Sequence, residues 1–264
     1  MSSVDIETLR TWIGRQEVRE DVITAAPAAG LSAALDYAGP LAAPGDPLPP
    51  AWHWLYFLPT VAASEIGSDG HPRRGGFLPP VPLPRRMWAG SDIRFCSDLR
   101  IGDPVRRVST VADAQHKHGD SGELVFVKVR HDIYSAETPA IVEDQNLVYR
   151  AAASGSTVAS RGAPAAPAWS REIRPDPVLL FRFSALTFNA HRIHYDRDYA
   201  RDREGYPSLV VQGPLTAILL LDLLRRELPE ARLAGFRFRG LRPLFDLHPL
   251  CLQGRLDGDG AHLW

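Results

Sequence analysis

The chain has little cysteine: two in 264 residues, Cys96 and Cys251, far apart and outside any CxxC pair. That excludes a zinc ribbon and a disulfide framework, and each cysteine is expected as a buried, reduced thiol. It also lacks a surplus of either charge, with 30 basic side chains against 31 acidic ones. A nucleic-acid binder would concentrate a basic excess, so no nucleic-acid partner is expected. Long hydrophobic runs are missing too. The longest, around residues 215–224, is shorter than a bilayer span and is interrupted by Asp222. The opening stretch, MSSVDIETLRTWIGRQEVRED, is charged and has no apolar core of the signal-peptide kind. No membrane is expected, and a reducing, cytoplasmic setting fits.

What is present reads as globular. Hydrophobic residues make up 45% of the chain, enough to bury a sizeable core. The length suits one large or two ordinary domains at roughly 150 residues each. AAASGSTVASRGAPAAPAW, residues 151–169, is built of small residues and proline, the composition of a linker. It divides the chain into an N-terminal domain over 1–150 and a C-terminal domain over 170–264.

A helix is expected near the start, capped by Asp5 and carrying Leu9, Trp12 and Ile13 on one side. AAGLSAALDYAG suggests a second, short one ended by Gly39 and Pro40. WHWLYFLP reads as a strand, whereas the prolines of GFLPPVPLPRRMWAGS argue against regular structure. From Asp92 onward DIRFCSDL, VRRVSTVADAQ, ELVFVKVRHDIY and NLVYRAA follow one another on short turns, the pattern of an antiparallel meander. The C-terminal part offers PVLLFRFSAL, AGFRFRGLRP and a segment around LCLQGRLDG as strands. Between them GPLTAILLLDLLRREL places leucine or isoleucine in nearly every direction around a helix axis, so other structure must wrap it. Pro214 suits its first position, and Arg225 and Arg226 suit its negative end. A long buried helix cupped by an antiparallel sheet is the hot-dog architecture. Two such halves make an α+β double hot dog.

The chemistry concentrates in ALTFNAHRIHYD, residues 185–196. His191 and His194 stand three apart and could ligate a metal, but no third ligand lies at recognisable spacing, so neither metal nor cofactor is expected. His194 suits proton transfer, because an unperturbed imidazole titrates at about 6.5. Asn189 can hold a water but cannot take its proton. Backbone N–H groups around Gly213, at the mouth of the buried helix, could stabilise a developing oxyanion.

Asn189-x4-His194, Tyr199-Ala200, Gly205-Tyr206-Pro207 and Gly213-Pro214-Leu215 together resemble the type-2 enoyl-thioester hydratase motif of MaoC-like hot-dog proteins. HRIHYD and VVQGPL, with WIGRQEVRED, HWLYFLP and PLPRRMWAGS, look like a fused double hot-dog subgroup. That subgroup includes 3-hydroxyacyl-thioester dehydratases and the mesaconyl-C4-CoA and itaconyl-CoA hydratases. The resemblance implies a hydro-lyase that adds water reversibly to a CoA thioester, itaconyl-CoA or mesaconyl-C4-CoA giving citramalyl-CoA. It implies Asn189, His194 and Gly213 as the catalytic set, with the N-terminal half catalytically silent. Asn189 departs from the family, which has an aspartate there; Asp196 or a water would then complete the proton relay.

Arg85, Arg86, Arg192, Tyr195, Tyr206 and Gln212 are the candidate substrate-binding residues. An arginine among them would meet a substrate carboxylate or the phosphates of CoA. Arg85 and Arg86 suit a solvated loop equally, and Arg192, Tyr195 and Asp198 suit local hydrogen bonding. A dehydratase of plain 3-hydroxyacyl chains, a hot-dog thioesterase and a non-catalytic acyl-CoA binder remain as alternatives. The sequence stops at GDGAHLW, where a hot-dog sheet would continue; a truncated chain, or a homodimer covering that edge, is the expectation.

Overall fold

The structure is a computed structural model that describes residues 4–37, 43–119, 122–151, 162, 164 and 166–264. Most of the expected linker, and Gly39 and Pro40, lie outside the described residues.

Near the N-terminus, α1 (Ile6–Arg10) begins where Asp5 accepts from the Thr8 backbone N–H, as its position suggests. Next come β1 (Gln16–Val22) and α2 (Ala25–Ala34). WHWLYFLP is not a strand: Trp52–Leu55 form a 3-10 turn that buries Trp52, His53 and Leu55. Its aromatics satisfy strand propensity, but here they pack into the core from a turn, with Trp52 and Leu55 in the large apolar cluster. The proline-rich loop ends earlier than its composition suggests, because β2 (Arg85–Phe95) already includes Arg85 and Arg86. β3 (Pro104–Gly119), β4 (Gly122–Ser135) and β5 (Thr138–Arg150) form a meander, but β2, expected as its first strand, pairs with β5 and not with β3.

C-terminal to these come β6 (Trp169–Ile173), α3 (Pro177–Leu186) and α4 (Gly213–Glu227), then β7 (Gly235–Arg239), β8 (Leu250–Asp257) and β9 (Gly260–Leu263). PVLLFRFSAL, expected as a strand, is the helix α3. Its signals are an N-terminal box: the Asp176 side chain accepts from the Leu179 N–H and Pro177 sits in the first turn. Local capping outweighs the continuous apolar run, which fits a strand and a half-buried helix alike.

Among the described residues nine strands make two antiparallel sheets, ordered β1-β3-β4-β5-β2-β7 and β6-β8-β9. β7 leaves its sequence neighbours and pairs with β2, from Gly90 opposite Arg239 to Arg94 opposite Gly235. The crossing requires Gly90, since a Cβ there would overlap the Phe238 carbonyl oxygen. The sheet is bulged at the same place, between Trp88 and Gly90.

The large core draws on both parts of the chain, including Leu31 of α2, Phe183 of α3, Leu219 of α4 and Ile93 of β2. α4 is buried on nearly every side, at Leu215, Ala217, Ile218, Leu219, Leu221, Leu223 and Leu224, as its all-round apolar pattern demands. Each of these leucines and the isoleucine contributes about 1.5–3 kcal/mol. Its one charged interior residue, Asp222, is held by Arg171, Arg225 and Arg226. A second apolar cluster lies under α1 and includes Leu9, Val111, Val127 and Tyr149. Cys96 and Cys251 are free but exposed, contrary to the expectation for small apolar thiols: Cys96 lies just past the end of β2, and Cys251 alternates along β8 with the buried Leu250 and Leu252.

Candidate active site

α3 ends at Thr187, whose hydroxyl donates back to the Phe183 carbonyl, and Phe188 then turns the chain with a positive φ. Asn189 follows. Its N–H returns to the Ser184 carbonyl, and its side-chain oxygen accepts the His191 N–H at 3.1 Å. A single 3-10 turn, Arg192–His194, delivers the second histidine into the interior. Ile193 joins Ala200 and Val210 in a small apolar cluster that fixes this turn.

His194 is buried, and its Nδ1 lies 2.7 Å from the Val210 carbonyl oxygen. A carbonyl can only accept, so Nδ1 carries the hydrogen and Nε2 keeps its lone pair. Burial pushes its pKa down to about 4; the Val210 bond works against this and the neighbouring His71 adds to it. At neutral pH the group is therefore an uncharged imidazole with one free basic nitrogen. Three residues beyond Val210, Gly213 opens α4, where the first N–H groups have no partner within the helix.

His194 has company that sequence spacing did not suggest. Its ring meets His191 edge to face, 5.3 Å between centroids, and His191 in turn lies 3.9 Å from His71. His71 comes from the other half of the chain, in the loop GSDGH, where Asp69 Oδ2 is 3.3 Å from its Nδ1. That loop is locked to the histidine turn. The Arg192 N–H donates to the Asp69 carbonyl at 2.9 Å and the Arg192 guanidinium to the Ser68 carbonyl at 3.1 Å. A Cβ on Gly70, whose φ is positive, would overlap the Ala190 carbonyl. Burial, His71 and His194 push the His191 pKa far down; burial and the Arg86 charge bring His71 to about 4. Asp69 is shifted the other way from its burial, because side-chain and backbone hydrogen bonds from His71 hold it ionised.

Ligand atoms of Asp69, His71 and His191 lie within 4.8 Å of one another, a set that could hold a metal ion. The third ligand missing from the His191/His194 spacing thus exists in space, though around His191 and without His194. The Arg86 charge bears on both imidazoles and opposes a second cation there.

A cavity of about 20 Å³, room for one water, is lined by Asp69, Arg85, Arg86, His191, Glu204 and Tyr206 among others. Three of the expected substrate-binding residues, Arg85, Arg86 and Tyr206, thus converge. Arg85 is already engaged: its Nε is 3.0 Å from Glu204 Oε2, and it lies over the Tyr206 ring. Arg86 is half-buried and has no carboxylate partner among the described residues.

The other candidates point elsewhere. Arg192 grips Asp196 at 2.7 Å and stacks on Tyr199. Asp196 also accepts from the Tyr199 N–H, which turns it away from a proton relay with His194. Tyr195 is exposed, its hydroxyl donating to the Ala190 carbonyl. Gln212 is buried, and its amide nitrogen bonds Leu180 and Ser184 of α3, tying that helix to the mouth of α4. Asp69 and His71 went unnoticed in the sequence, where a Gly-Ser-Asp-Gly-His run signals only a turn.

Residues 51–246 match the family model "Hydroxyacyl-thioester dehydratase type 2". The mesaconyl-C(4)-CoA hydratase of Chloroflexus aurantiacus is 50% identical over all of this chain and 93% of its own length. HtdX from Mycobacterium tuberculosis superposes with a TM-score of 0.68 at 14% identity, covering 94% of this chain and 92% of that one. A further M. tuberculosis protein, described as a double hot-dog fold, gives 0.55 at 15% identity, covering 95% and 87%. The chain is a hydro-lyase of double hot-dog fold and belongs to the hydroxyacyl-thioester dehydratase type 2 family.

Proposed function

We propose that this hydratase of enoyl-CoA thioesters acts on a branched C5 dicarboxylyl-CoA, mesaconyl-C4-CoA or itaconyl-CoA, and forms citramalyl-CoA. The observation that carries the site assignment is the buried, neutral His194 with Nδ1 bonded to Val210. With mesaconyl-C4-CoA, whose double bond is conjugated with the thioester, Nε2 of His194 takes a proton from water as the water oxygen bonds to the β-carbon. The double-bond electrons move to the thioester oxygen, whose charge meets the N–H groups at Gly213 and the positive end of α4. The imidazolium then returns its proton to the α-carbon, so water is added with no net change in the enzyme. Asn189 positions the water.

The substrate's free carboxylate is assigned to Arg86, the cavity arginine without a carboxylate partner among the described residues. Support for the substrate class comes from the 50% identical relative, whose name specifies mesaconyl-C4-CoA. The family's own name favours a second reading, dehydration of plain 3-hydroxyacyl thioesters. Assays with mesaconyl-C4-CoA, itaconyl-CoA and crotonyl-CoA, followed by mass, separate them. The expected result is a gain of one water on a C5 dicarboxylyl thioester, with His194→Ala inactive and natively folded. Arg86→Gln should raise KM for the dicarboxylyl substrate about tenfold or more and leave crotonyl-CoA unaffected, the loss of a charged hydrogen bond being worth roughly 1.5–3 kcal/mol. Preference for crotonyl-CoA would move the assignment to the second reading, and full activity in His194→Ala would end both.

We also infer a homodimer. Val178, Phe181 and Phe188 are all exposed along the outer side of α3 and its end, an apolar stripe of the kind subunits cover. Light scattering is expected to give twice the chain mass.

A further inference from the structure

Hydration through His194 creates an imidazolium in a buried site, and no carboxylate of the motif that carries His194 bonds its ring. The carboxylates nearby can be taken in turn. Position 189 is an amide, and its oxygen already accepts the His191 N–H. Asp196 is bound to Arg192 and to the Tyr199 N–H. Glu204 is paired with Arg85. Asp69 alone among these bonds an imidazole, His71, and that imidazole lies against His191.

We propose that Asp69 and His71 are positioning residues for His194: they complete, from the N-terminal half of the chain, the carboxylate–imidazole arrangement that Asn189 leaves open. Asp69 holds His71 through Nδ1. His71 packs on His191, and His191 sets the edge of its ring against His194, so one line of three imidazoles ends on a fixed negative charge. The line thereby fixes the orientation of the His194 ring from the N-terminal half of the chain. The N-terminal half is then a working part of the site, contrary to the expectation that it is catalytically silent. Its loop is seated for that purpose: Asp69 and Ser68 carbonyls hold Arg192, and Gly70 presses on Ala190.

The proposal rests on His194 being the base, and its test keeps the two apart. Asp69→Asn, Asp69→Glu and His71→Asn are compared with His194→Ala in the hydration assay on whichever enoyl-CoA the wild type turns over fastest. Circular dichroism confirms folding. Asp69→Asn is expected to lose tenfold to a hundredfold in kcat with KM within twofold, and Asp69→Glu to recover part of the loss. In His71→Asn the acid limb of kcat/KM should move to higher pH, since the like-charge neighbour that disfavours the His194 cation is gone. A folded Asp69→Asn with wild-type kcat, or a His71→Asn limb that stays in place, overturns the proposal while His194→Ala remains inactive. Gly70→Ala reads the seating of the loop without touching a titratable group. It is expected to lower kcat, and wild-type kcat in that folded variant also counts against the proposal.

Discussion

At the scale of single residues, the defining fact is that His194 is kept uncharged. Its pKa of about 4 lies well below the ordinary imidazole value, so the basic form persists as the medium is acidified. The sign follows directly: activity that needs the neutral base should hold from pH 7 down to about 5 and fall only near 4. An unperturbed imidazole would already have lost most of it at pH 5.5. A kcat/KM profile checks this. Asn189 makes a complementary prediction. An aspartate there could still accept the His191 N–H while adding a charge beside the imidazoles, so Asn189→Asp should move the acid limb upward and retain hydration. His194, Asn189 and Gly213 were candidates in the sequence through the motif they share with MaoC-like hydratases, and the structure sets the histidine turn just ahead of the buried helix. Asp69 and His71 were not, since their relation to His194 exists only after two distant loops meet.

At the scale of elements, α3 and α4 carry the site and Gln212 joins them. Its amide nitrogen satisfies the Leu180 carbonyl at the start of α3's second turn and the Ser184 hydroxyl. Gln212→Ala leaves those buried acceptors without a donor, and about 1–3 kcal/mol of stability should be lost in urea unfolding. The Asp222 cluster is a second joint. Removing its carboxylate with Asp222→Ala leaves three arginines together at the end of α4, and a loss of about 3 kcal/mol is expected by the same measurement. α4 was readable from the sequence because leucines in every direction allow only a wrapped helix. α3 was not, because ten apolar-rich residues suit either a strand or a helix; Asp176 and Pro177 decide it, and their signal is local and small.

Over the whole molecule, buried titratable groups pull stability in one direction. Burial lowers His71, His131 and His194 to about 4, so the unfolded chain binds protons that the folded one refuses. That contribution is complete above about 6.5 and is lost as pH falls toward 4. Burial would raise Glu143, but hydrogen bonds from His53 and Ser91 with the charges of His53 and His131 bring it to about 2. Its share is complete above the ordinary carboxylate range and is lost as pH falls toward 2. Tm should therefore drop steadily between pH 6.5 and 4, which calorimetry at several pH values would follow. A Tm unchanged across that window would contradict the burial of these histidines.

The pairing of β7 with β2 has a consequence for how the protein is made. On the ribosome, β2 emerges with one edge unmatched, and its partner is not synthesised until Gly235–Arg239. At the usual pace of elongation that wait lasts roughly ten to thirty seconds. During it the nascent chain presents an open strand edge, which can recruit another nascent chain as readily as its own. Expression of the first 150 residues alone should give insoluble material, and supplying residues 170–264 in trans should return it to solution.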